Sequence, residues 1–563
     1  MLKIFNDIKF SLLKKLYIEN FFEECDIFFT ELLNPALVEE SIFLAYLFKI
    51  SRSGYVALKV NSDEIYPDEI LDYEIKKNII EGAKAVINSQ DEKKFTFLNI
   101  FEDWFYLQKN YFYETILLKN IFRLKEAQPV DFFDNDKFKN FVSEHKLFNY
   151  DQKQALLKFS KFNVFSIYGG PGSGKTFLAS ELIDYILKNE ANIKIAITAP
   201  TGKAALHLKN KILSNQNSKN LQVMTLHKLL NFNEYKTAYF QDDFFDYDLI
   251  LVDESSMIDL FMMAHILNKI SFKTKILFIG DPHQLSPIEG GAIFSEFIRE
   301  NIFESYYLKD QFRFENQKII KLANAIIEND EIGVKNFLDN SDMYMEIKNL
   351  KEIKENIFEL SKHNFNLLNK KIDINIFEKF NKFRILTALK RGMLSVDDLN
   401  NQIFKTIYNS AKFNDEILVP IIINKNSYSL ELYNGMLGVL LVKKNKTSYE
   451  NLKAYFLIDK EIKEFFIFEL PLFEYAYAIS IHKSQGSEFN EVMLIINENV
   501  ENFSKELIYT GITRAKKNIK IISTKNTILK ILSKKSVKIS AISKRLEKDC
   551  VFLNSYNKSK KNN

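Results

Sequence analysis

Two short polar segments in the last quarter of the chain carry its most informative chemistry. One has the sequence IHKSQGSEF (481–489), and the other has the sequence YTGITRAK (509–516). The second contains Arg514, a planar cation of the kind that stabilises charge on a transferred phosphoryl group. The first is a polar loop suited to sugar–phosphate contacts, and its candidate residues are His482, Lys483 and Ser484. An arginine far along the chain from a phosphate-binding loop indicates that two domains share one reaction.

A glycine-rich loop at residues 169–176 lies between an apolar strand and a predicted helix. Its sequence GGPGSGKT fits the pattern G-x-x-x-x-G-K-[ST]. In such a loop, backbone N–H groups hold phosphates and the lysine reaches the β and γ positions. The predicted ATP-binding residues are Gly169, Gly170, Pro171, Gly172, Ser173, Gly174, Lys175 and Thr176. A chance glycine turn is a minor alternative in this context.

Two polar motifs follow further apolar strands. Asp253 would bind Mg²⁺ together with Thr176, and Glu254 would orient or deprotonate the attacking water. Gln284 is placed to sense the γ-phosphate, because an amide both donates and accepts hydrogen bonds. Taken alone, the acidic pair could equally be an exposed turn. Its position after a phosphate loop and a strand favours catalysis.

Arginine is scarce, with 8 residues against 69 lysines. Arg313 and Arg514 are both candidate arginine fingers, although a surface salt bridge is the alternative for either. The predicted catalytic set is Lys175, Asp253, Glu254, Gln284, Arg313 and Arg514.

Hydroxyls, backbone groups and a lysine lie beyond the predicted strand ends, in TAPTGKAA (198–205) and TLH (225–227). Such groups position a nucleic-acid strand without reading its sequence. The candidate contacts here are Pro200, Thr201, Lys203, Thr225 and His227.

At 563 residues the chain is too long for one core. The pattern predicts a mostly helical region at 1–115, a linker at 116–144, and α/β domains at 145–305 and 306–563. Alternating and β-branched runs predict a small β insertion at about 412–475, and the polar tail at 554–563 is predicted to be disordered. Several predicted strands end in polar motifs, as in an open parallel sheet facing a ligand.

Composition excludes several classes of protein. Two cysteines far apart predict neither a disulfide framework nor a metal site, and they suit a reducing cytoplasm. Charges interrupt every long apolar run, so we expect no membrane span, and we find no secretion signal. The net charge of +4 does not by itself identify a nucleic-acid binder.

From Gln152 to Lys516, the motifs and their order resemble the superfamily 1 DNA helicases, and within them the RecD type, the α subunit of exodeoxyribonuclease V. The segment YDQK (150–153) is similar to an adenine-reading Q motif. The segments RILTALKRG (384–392) and YNGMLG (433–438) are similar to family segments of the second motor domain.

The resemblance implies an α/β fold with two RecA-like P-loop domains, an SH3-like β insertion and a helical N-terminal domain that docks on a partner. It implies that Gln152 contacts adenine and that Asn434 contacts DNA. It also implies ATP-driven 5′→3′ movement on single-stranded DNA at duplex ends, with RecB-like and RecC-like partners, in double-strand-break repair and recombination. Nuclease activity is not expected in this chain. The alternatives are a standalone helicase, and a regulatory or scaffold subunit that uses ATP as a switch.

Overall fold

The computed structural model describes residues 8–548 except 69, 71, 89–96, 131–133, 191, 213–219, 233–243, 288–289, 311–315, 445–451, 459, 499–502 and 535–537. Arg313 and the predicted disordered tail therefore lie outside the described residues. No helix in the described part of the chain is long and apolar enough to cross a bilayer.

The N-terminal region combines helices with a small antiparallel sheet of strand order β2-β1-β4-β3. Its elements are α1 (Ser11–Ile18), α2 (Glu24–Leu32), α3 (Val38–Arg52), β1 (Leu58–Val60), β2 (Ile65–Tyr66), α4 (Tyr73–Asn88), β3 (Leu98–Phe101) and β4 (Trp104–Leu107). Helices predominate, as expected. The sheet was not predicted, because strands of two to four residues are too short to show an alternating pattern.

The first parallel sheet has six strands in the order β10-β5-β9-β8-β6-β7. The strands are β5 (Val164–Gly169), β6 (Ile195–Ala199), β7 (Leu221–Thr225), β8 (Leu249–Val252), β9 (Lys275–Gly280) and β10 (Glu304–Leu308). The helices are α5 (Gln108–Lys125), α6 (Asn135–Glu144), α7 (Tyr150–Phe159), α8 (Lys175–Asn189), α9 (Gly202–Ile212), α10 (Leu226–Leu229), α11 (Leu260–Lys269) and α12 (Ile293–Arg299). Every residue of β8 and β9 is buried, which explains their unbroken apolar character.

The rest of the chain forms a second parallel sheet and an antiparallel one. The helices are α13 (Gln317–Ile327), α14 (Glu331–Asn340), α15 (Leu350–Phe365), α16 (Ile374–Lys382), α17 (Val396–Ser410), α18 (Lys505–Ile512) and α19 (Lys525–Leu532). The strands are β11 (Tyr344–Glu346), β12 (Phe383–Thr387), β13 (Glu416–Ile423), β14 (Leu437–Lys443), β15 (Lys453–Ile458), β16 (Glu461–Phe466), β17 (Phe473–Tyr475), β18 (Ala478–Ser480), β19 (Phe489–Ile495) and β20 (Ala515–Ser523). The parallel sheet has the order β11-β20-β19-β12-β18, and the antiparallel sheet has the order β16-β15-β14-β13-β17. The antiparallel sheet lies within the predicted β insertion.

The predicted linker is wrong at its start, because α5 runs through the predicted boundary at residue 115. Leu117, Ile121 and Leu124 recur every three or four residues and are buried in the same core cluster as α11. Residues 135–144 form a further helix. The sequence therefore continues as packed helices where a linker was expected.

Residues 538–548 pack back on the N-terminal region and the first sheet. The Ser540 hydroxyl donates to the buried Glu296 carboxyl at 2.8 Å. Arg545 donates to Glu114 at 2.9 Å, and both side chains are buried. Residues 538–548, which follow the second parallel sheet, thus belong to the core formed by the N-terminal region and the first sheet. No local sequence pattern indicated this packing.

Stability should fall between about pH 4.5 and pH 7 because of Glu296. Burial, opposed by the Ser540 hydrogen bond, raises the pKa of Glu296 to about 7. The folded state therefore holds a proton that the unfolded state releases, and raising the pH through this window costs about 3 kcal/mol. We expect Glu296→Gln to lose less free energy of unfolding than the wild type between pH 5 and pH 8, as measured by urea denaturation. The exposed neighbour change Glu300→Gln is the control, and identical pH profiles for all three proteins would contradict the assignment.

Candidate active site

A cleft of about 630 Å³ lies between the two parallel sheets. One wall is the carboxyl ends of β5, β8 and β9, and the other is formed by the residues just before β19 and β20. The first wall contributes Lys175, Thr176, Asp253, Glu254 and Gln284, and the second contributes Gly486, Ser487 and Arg514. Motifs separated by more than 300 residues therefore meet in one site, as the sequence predicted.

The glycine-rich loop curls around the lysine ammonium. Lys175 Nζ donates to the carbonyls of Gly169 at 2.7 Å and Gly170 at 2.8 Å. Gly172 and Gly174 have φ of +82° and +83°, so a side chain at either position would strain the turn. Because α8 begins directly after the loop, its N-terminal amides and Lys175 together favour a bound phosphate.

Gln152 lies against this loop from α7. A Cβ on Gly174 would come within 2.5 Å of the Gln152 amide nitrogen, and the Gln152 amide oxygen accepts the Asn149 N–H at 3.1 Å. Gln152 is only 3% exposed. Its side chain thus links the start of α7 to the phosphate loop, and its contact with adenine stays a prediction.

The acidic pair follows β8 in a constrained turn. Glu254 has a left-handed backbone with φ of +51°, and its N–H donates to the Asp253 carboxylate at 2.9 Å. Burial, followed by the charge of Asp253, raises the pKa of Glu254, while Arg514 and Lys175 oppose the shift. A raised pKa makes the carboxylate a stronger base for a proton from water. Thr176 and Asp253 both line the cleft, and their hydroxyl and carboxylate oxygens suit Mg²⁺.

Arg514 enters the cleft from the second sheet and is 4% exposed. Its Nε donates to the Thr510 carbonyl at 3.1 Å, and Nη1 donates to the Ser487 carbonyl at 3.3 Å. Nη2 has no hydrogen-bond partner among the described residues. Burial lowers the pKa of Arg514, and the charges of Glu254 and Asp281 oppose this shift. The geometry leaves one guanidinium donor for a ligand in the cleft.

Gln284 lines the cleft on the side of the first sheet. Its amide nitrogen donates to Asp281 at 3.3 Å, and its amide oxygen is buried without a partner among the described residues. Asp281 also accepts the Tyr509 hydroxyl across the cleft at 2.9 Å. The amide oxygen of Gln284 is therefore available to a ligand in the cleft. Its amide nitrogen is linked through Asp281 to Tyr509 of the second half of the chain.

Hydrogen bonds connect the two walls of the cleft beside the reactive groups. Besides Tyr509 to Asp281, the Leu285 N–H donates to the Thr510 hydroxyl at 2.9 Å, and the Gln485 amide donates to the Leu285 carbonyl at 3.0 Å. Asp281, Tyr509 and Thr510 were given no role from the sequence, although Tyr509 and Thr510 lie in the YTGITRAK segment and Asp281 lies three residues before Gln284. Their position inside the motifs was the available signal.

The predicted nucleic-acid contacts do not all lie on the surface. Asn434 and His227 are exposed, and Pro200 and His482 are half-buried. Burial lowers the pKa of His482, which favours a neutral ring. Lys483 is half-buried and donates to Asn424 at 2.8 Å and to Glu474. These five positions remain predicted contacts.

The other predicted contacts have local roles. The prediction for Ser484 is wrong, because its side chain is fully buried and donates to the Ile481 carbonyl at 2.6 Å. The hydroxyls of Thr201 and Thr225 accept backbone N–H groups and cap α9 and α10. Lys203 lines the nucleotide cleft and donates to the Ser487 hydroxyl at 2.5 Å, which the prediction of a nucleic-acid contact did not anticipate.

Comparison with known proteins shows which proteins this chain is similar to. Residues 152–290 match the family described as an AAA domain, and residues 475–522 match the UvrD-like helicase C-terminal domain. Over 521 residues the chain is 30% identical to the RecBCD enzyme subunit RecD of Buchnera aphidicola subsp. Schizaphis graminum, covering 80% of this chain and 85% of that protein. It is 28% identical over 590 residues to the same subunit of Buchnera aphidicola subsp. Acyrthosiphon pisum, covering 82% and 95%. The Pif1 helicase from Candida albicans aligns with 16% identity and a TM-score of 0.38, covering 68% of this chain and 96% of that one.

Replacing Glu254 by Gln should slow ATP hydrolysis by about 10²–10⁴-fold while nucleotide binding is retained, because the amide keeps the shape but cannot accept a proton. Acidification should lower the wild-type rate at pH values above the ordinary carboxylate range, because burial raises the pKa of Glu254. Phosphate release and fluorescent-nucleotide binding measure the two quantities. Glu144→Gln, on the exposed end of α6, is the control, and full turnover by Glu254→Gln would remove Glu254 from the mechanism.

Proposed function

The chain belongs to the RecD family of helicase subunits, and from that premise we propose that it is the ATP-driven 5′→3′ DNA motor of a RecBCD-type exodeoxyribonuclease V complex. The proposed motor domains are residues 145–305 and 306–563. The observation that carries the proposal is that Arg514, whose Nη2 has no hydrogen-bond partner among the described residues, lines the same cleft as Lys175 and Glu254.

Each residue of the cleft has a separate role in ATP hydrolysis. Lys175 and the α8 N-terminus bind the β- and γ-phosphates, and Glu254 orients the attacking water and takes its proton. Arg514 donates to the transferred phosphoryl group, whose charge develops in the transition state. Thr176 and Asp253 would hold Mg²⁺, which when bound neutralises phosphate charge. We retain Arg313 as a second proposed arginine finger that stabilises charge on the transferred phosphoryl group.

ATP hydrolysis and movement along DNA are coupled through the hydrogen bonds that connect the two walls of the cleft. Arg514 belongs to the second sheet, whereas Lys175 and Glu254 belong to the first, so turnover requires both sheets to approach the same phosphate. The Tyr509–Asp281 and Leu285–Thr510 hydrogen bonds lie beside this junction. A change of phosphate occupancy therefore changes the relative position of the two proposed DNA-binding surfaces.

The antiparallel sheet supports an SH3-like insertion that reaches the DNA path. A Cβ on Gly202 would lie 2.5 Å from the ring of Tyr433, so the β13–β14 loop is packed against the start of α9. The next residue in that loop, Asn434, is exposed. We assign Asn434, His227 and Lys483 to contacts with the sugar–phosphate backbone.

The N-terminal region supports the role of a subunit. Phe28, Phe29 and Leu32 lie on α2 and are 47%, 47% and 69% exposed. Exposed apolar side chains at this spacing share one helix face and indicate a protein contact. We assign this face to the RecC-like partner.

A regulatory subunit that uses ATP only as a switch is the second candidate. It is favoured by the exposed apolar face of α2, which suits assembly. The cleft opposes it, because the predicted hydrolytic residues within the described part of the chain all line one cavity. A standalone helicase would keep that cleft but have no use for the docking face.

The motor assignment predicts DNA-stimulated ATPase and unwinding of partial duplexes that carry a 5′ single-stranded tail, but not of those with a 3′ tail. Lys175→Gln should reduce turnover by on the order of 10²–10³-fold without unfolding the chain, because it removes a cation from the phosphates. Lys188→Gln, exposed on the same helix, is the control. Unwinding from 3′ tails alone would overturn the polarity, and wild-type turnover by Lys175→Gln would overturn the motor.

The docking assignment predicts that Leu32→Glu weakens assembly with RecB-like and RecC-like subunits by at least about tenfold, because a charge would be desolvated in the contact. DNA-stimulated ATPase of the isolated chain should not change. Leu360→Glu makes the same change at an exposed position of α15 and serves as the control. Equal affinities of the two variants for the partners, measured by analytical ultracentrifugation, would contradict the docking face.

A further inference from the structure

A second cavity, of about 190 Å³, adjoins the nucleotide cleft. Lys203 and Asn381 line both cavities, so the two spaces share an edge. Arg384, at the start of β12, lines only the smaller one. Most of its remaining wall is apolar and comes from α16 and the antiparallel sheet, including Met436 and Val439.

The charged groups of this cavity are both cationic. No Asp or Glu is among its described lining residues. Arg384 is 0% exposed; Nη2 donates to the Phe380 carbonyl at 2.8 Å, Nη1 donates to the Ala476 carbonyl, and Nε has no partner among the described residues. Lys203 has the neutral Ser487 hydroxyl as its hydrogen-bond acceptor.

Two cations close together in one buried site each raise the free energy of burying the other's charge. Burial, followed by the charges of Arg384 and Arg514, lowers the pKa of Lys203 to about 8. Burial also lowers the pKa of Arg384. Buried charges are normally paired, and the neutral carbonyls, the hydroxyl and the rings of Phe365 and Phe489 near Arg384 offset the charge only in part. An anion is the ligand that this arrangement lacks, and a guanidinium with a free N–H is suited to phosphate oxygens.

We propose that the cavity between Lys203 and Arg384 binds inorganic phosphate as it leaves the nucleotide cleft. The inference rests on the proposed ATP hydrolysis, which generates phosphate on the other side of Lys203 and Asn381. Release past Lys203 allows phosphate to depart while ADP still occupies the glycine-rich loop. A phosphate of the DNA backbone has the same chemistry and is the competing source.

The test is product inhibition of the DNA-stimulated ATPase of the full chain by inorganic phosphate. Arg384→Gln removes the buried cation, and Asn381→Asp places a negative charge at the exposed edge shared by the cavities. Asn375→Asp makes the same change at an exposed position of α16 that lines neither cavity, and is the control. We expect the inhibition constant for phosphate to rise by about tenfold or more in Arg384→Gln and Asn381→Asp, and to stay at the wild-type value in Asn375→Asp.

Asn381→Asp decides the test if Arg384→Gln does not fold. Equal phosphate inhibition of Asn381→Asp and Asn375→Asp overturns the proposal. Weaker binding of an oligo-dT strand by Asn381→Asp, with unchanged phosphate inhibition, overturns it in favour of a backbone phosphate. If the wild type shows no ATPase, the proposed function fails, and melting temperatures with ADP and added phosphate test the cavity alone. There we expect phosphate to stabilise the wild type and Asn375→Asp but not Asn381→Asp.

Discussion

Hydrogen bonds connect Tyr509, Thr510 and Gln485 in the second half of the chain with Asp281 and Leu285 in the first, and they hold the two parallel sheets on either side of the nucleotide cleft. The constraint is that neither wall has a complete set of reactive groups. The first has the phosphate loop and the acidic pair, and the second has the arginine. Turnover is therefore tied to the relative position of the sheets, which is the requirement for a motor.

Burial shifts the pKa values of the charged groups in the cleft, and it also strengthens the effect of each neighbouring charge on them. Glu254 becomes a stronger base because it is buried beside Asp253, while Arg514 opposes the shift. Charges interact more strongly here than in water because the effective dielectric constant is lower. The ligand changes the same balance, since phosphates bring negative charge toward Lys175, Lys203 and Arg514. Nucleotide binding, catalysis and sheet position thus depend on one set of charges.

The sequence was most informative where backbone geometry and chemistry coincide. The glycine-rich loop, Asp253, Glu254 and Gln284 were predictable because each follows a buried strand, and parallel strands bring their carboxyl ends together. Arg514 was predictable as a scarce residue type in a polar motif. The family resemblance supplied Asn434 and the partner proteins, which composition and spacing could not.

Other features depend on contacts that one segment does not encode. Ser484 and Lys203 were expected to contact nucleic acid, yet one donates to a neighbouring carbonyl and the other turns into the cleft. The N-terminal sheet has strands too short for a periodic signal, and the burial of α5 depends on α11. The C-terminal segment docks through Arg545 and Ser540, whose partners Glu114 and Glu296 are more than 200 residues away along the chain.

The central claim is that Arg514 acts on the phosphoryl group from across the cleft. The most direct measurement is an experimental structure of the full chain with single-stranded DNA, ADP and a metal fluoride that mimics the transferred phosphoryl group. We predict the Arg514 guanidinium at about 3 Å from the fluoride, with Nη2 as the donor. An Arg514 still bound only to the Thr510 and Ser487 carbonyls, with the mimic held by the first wall alone, would contradict the account.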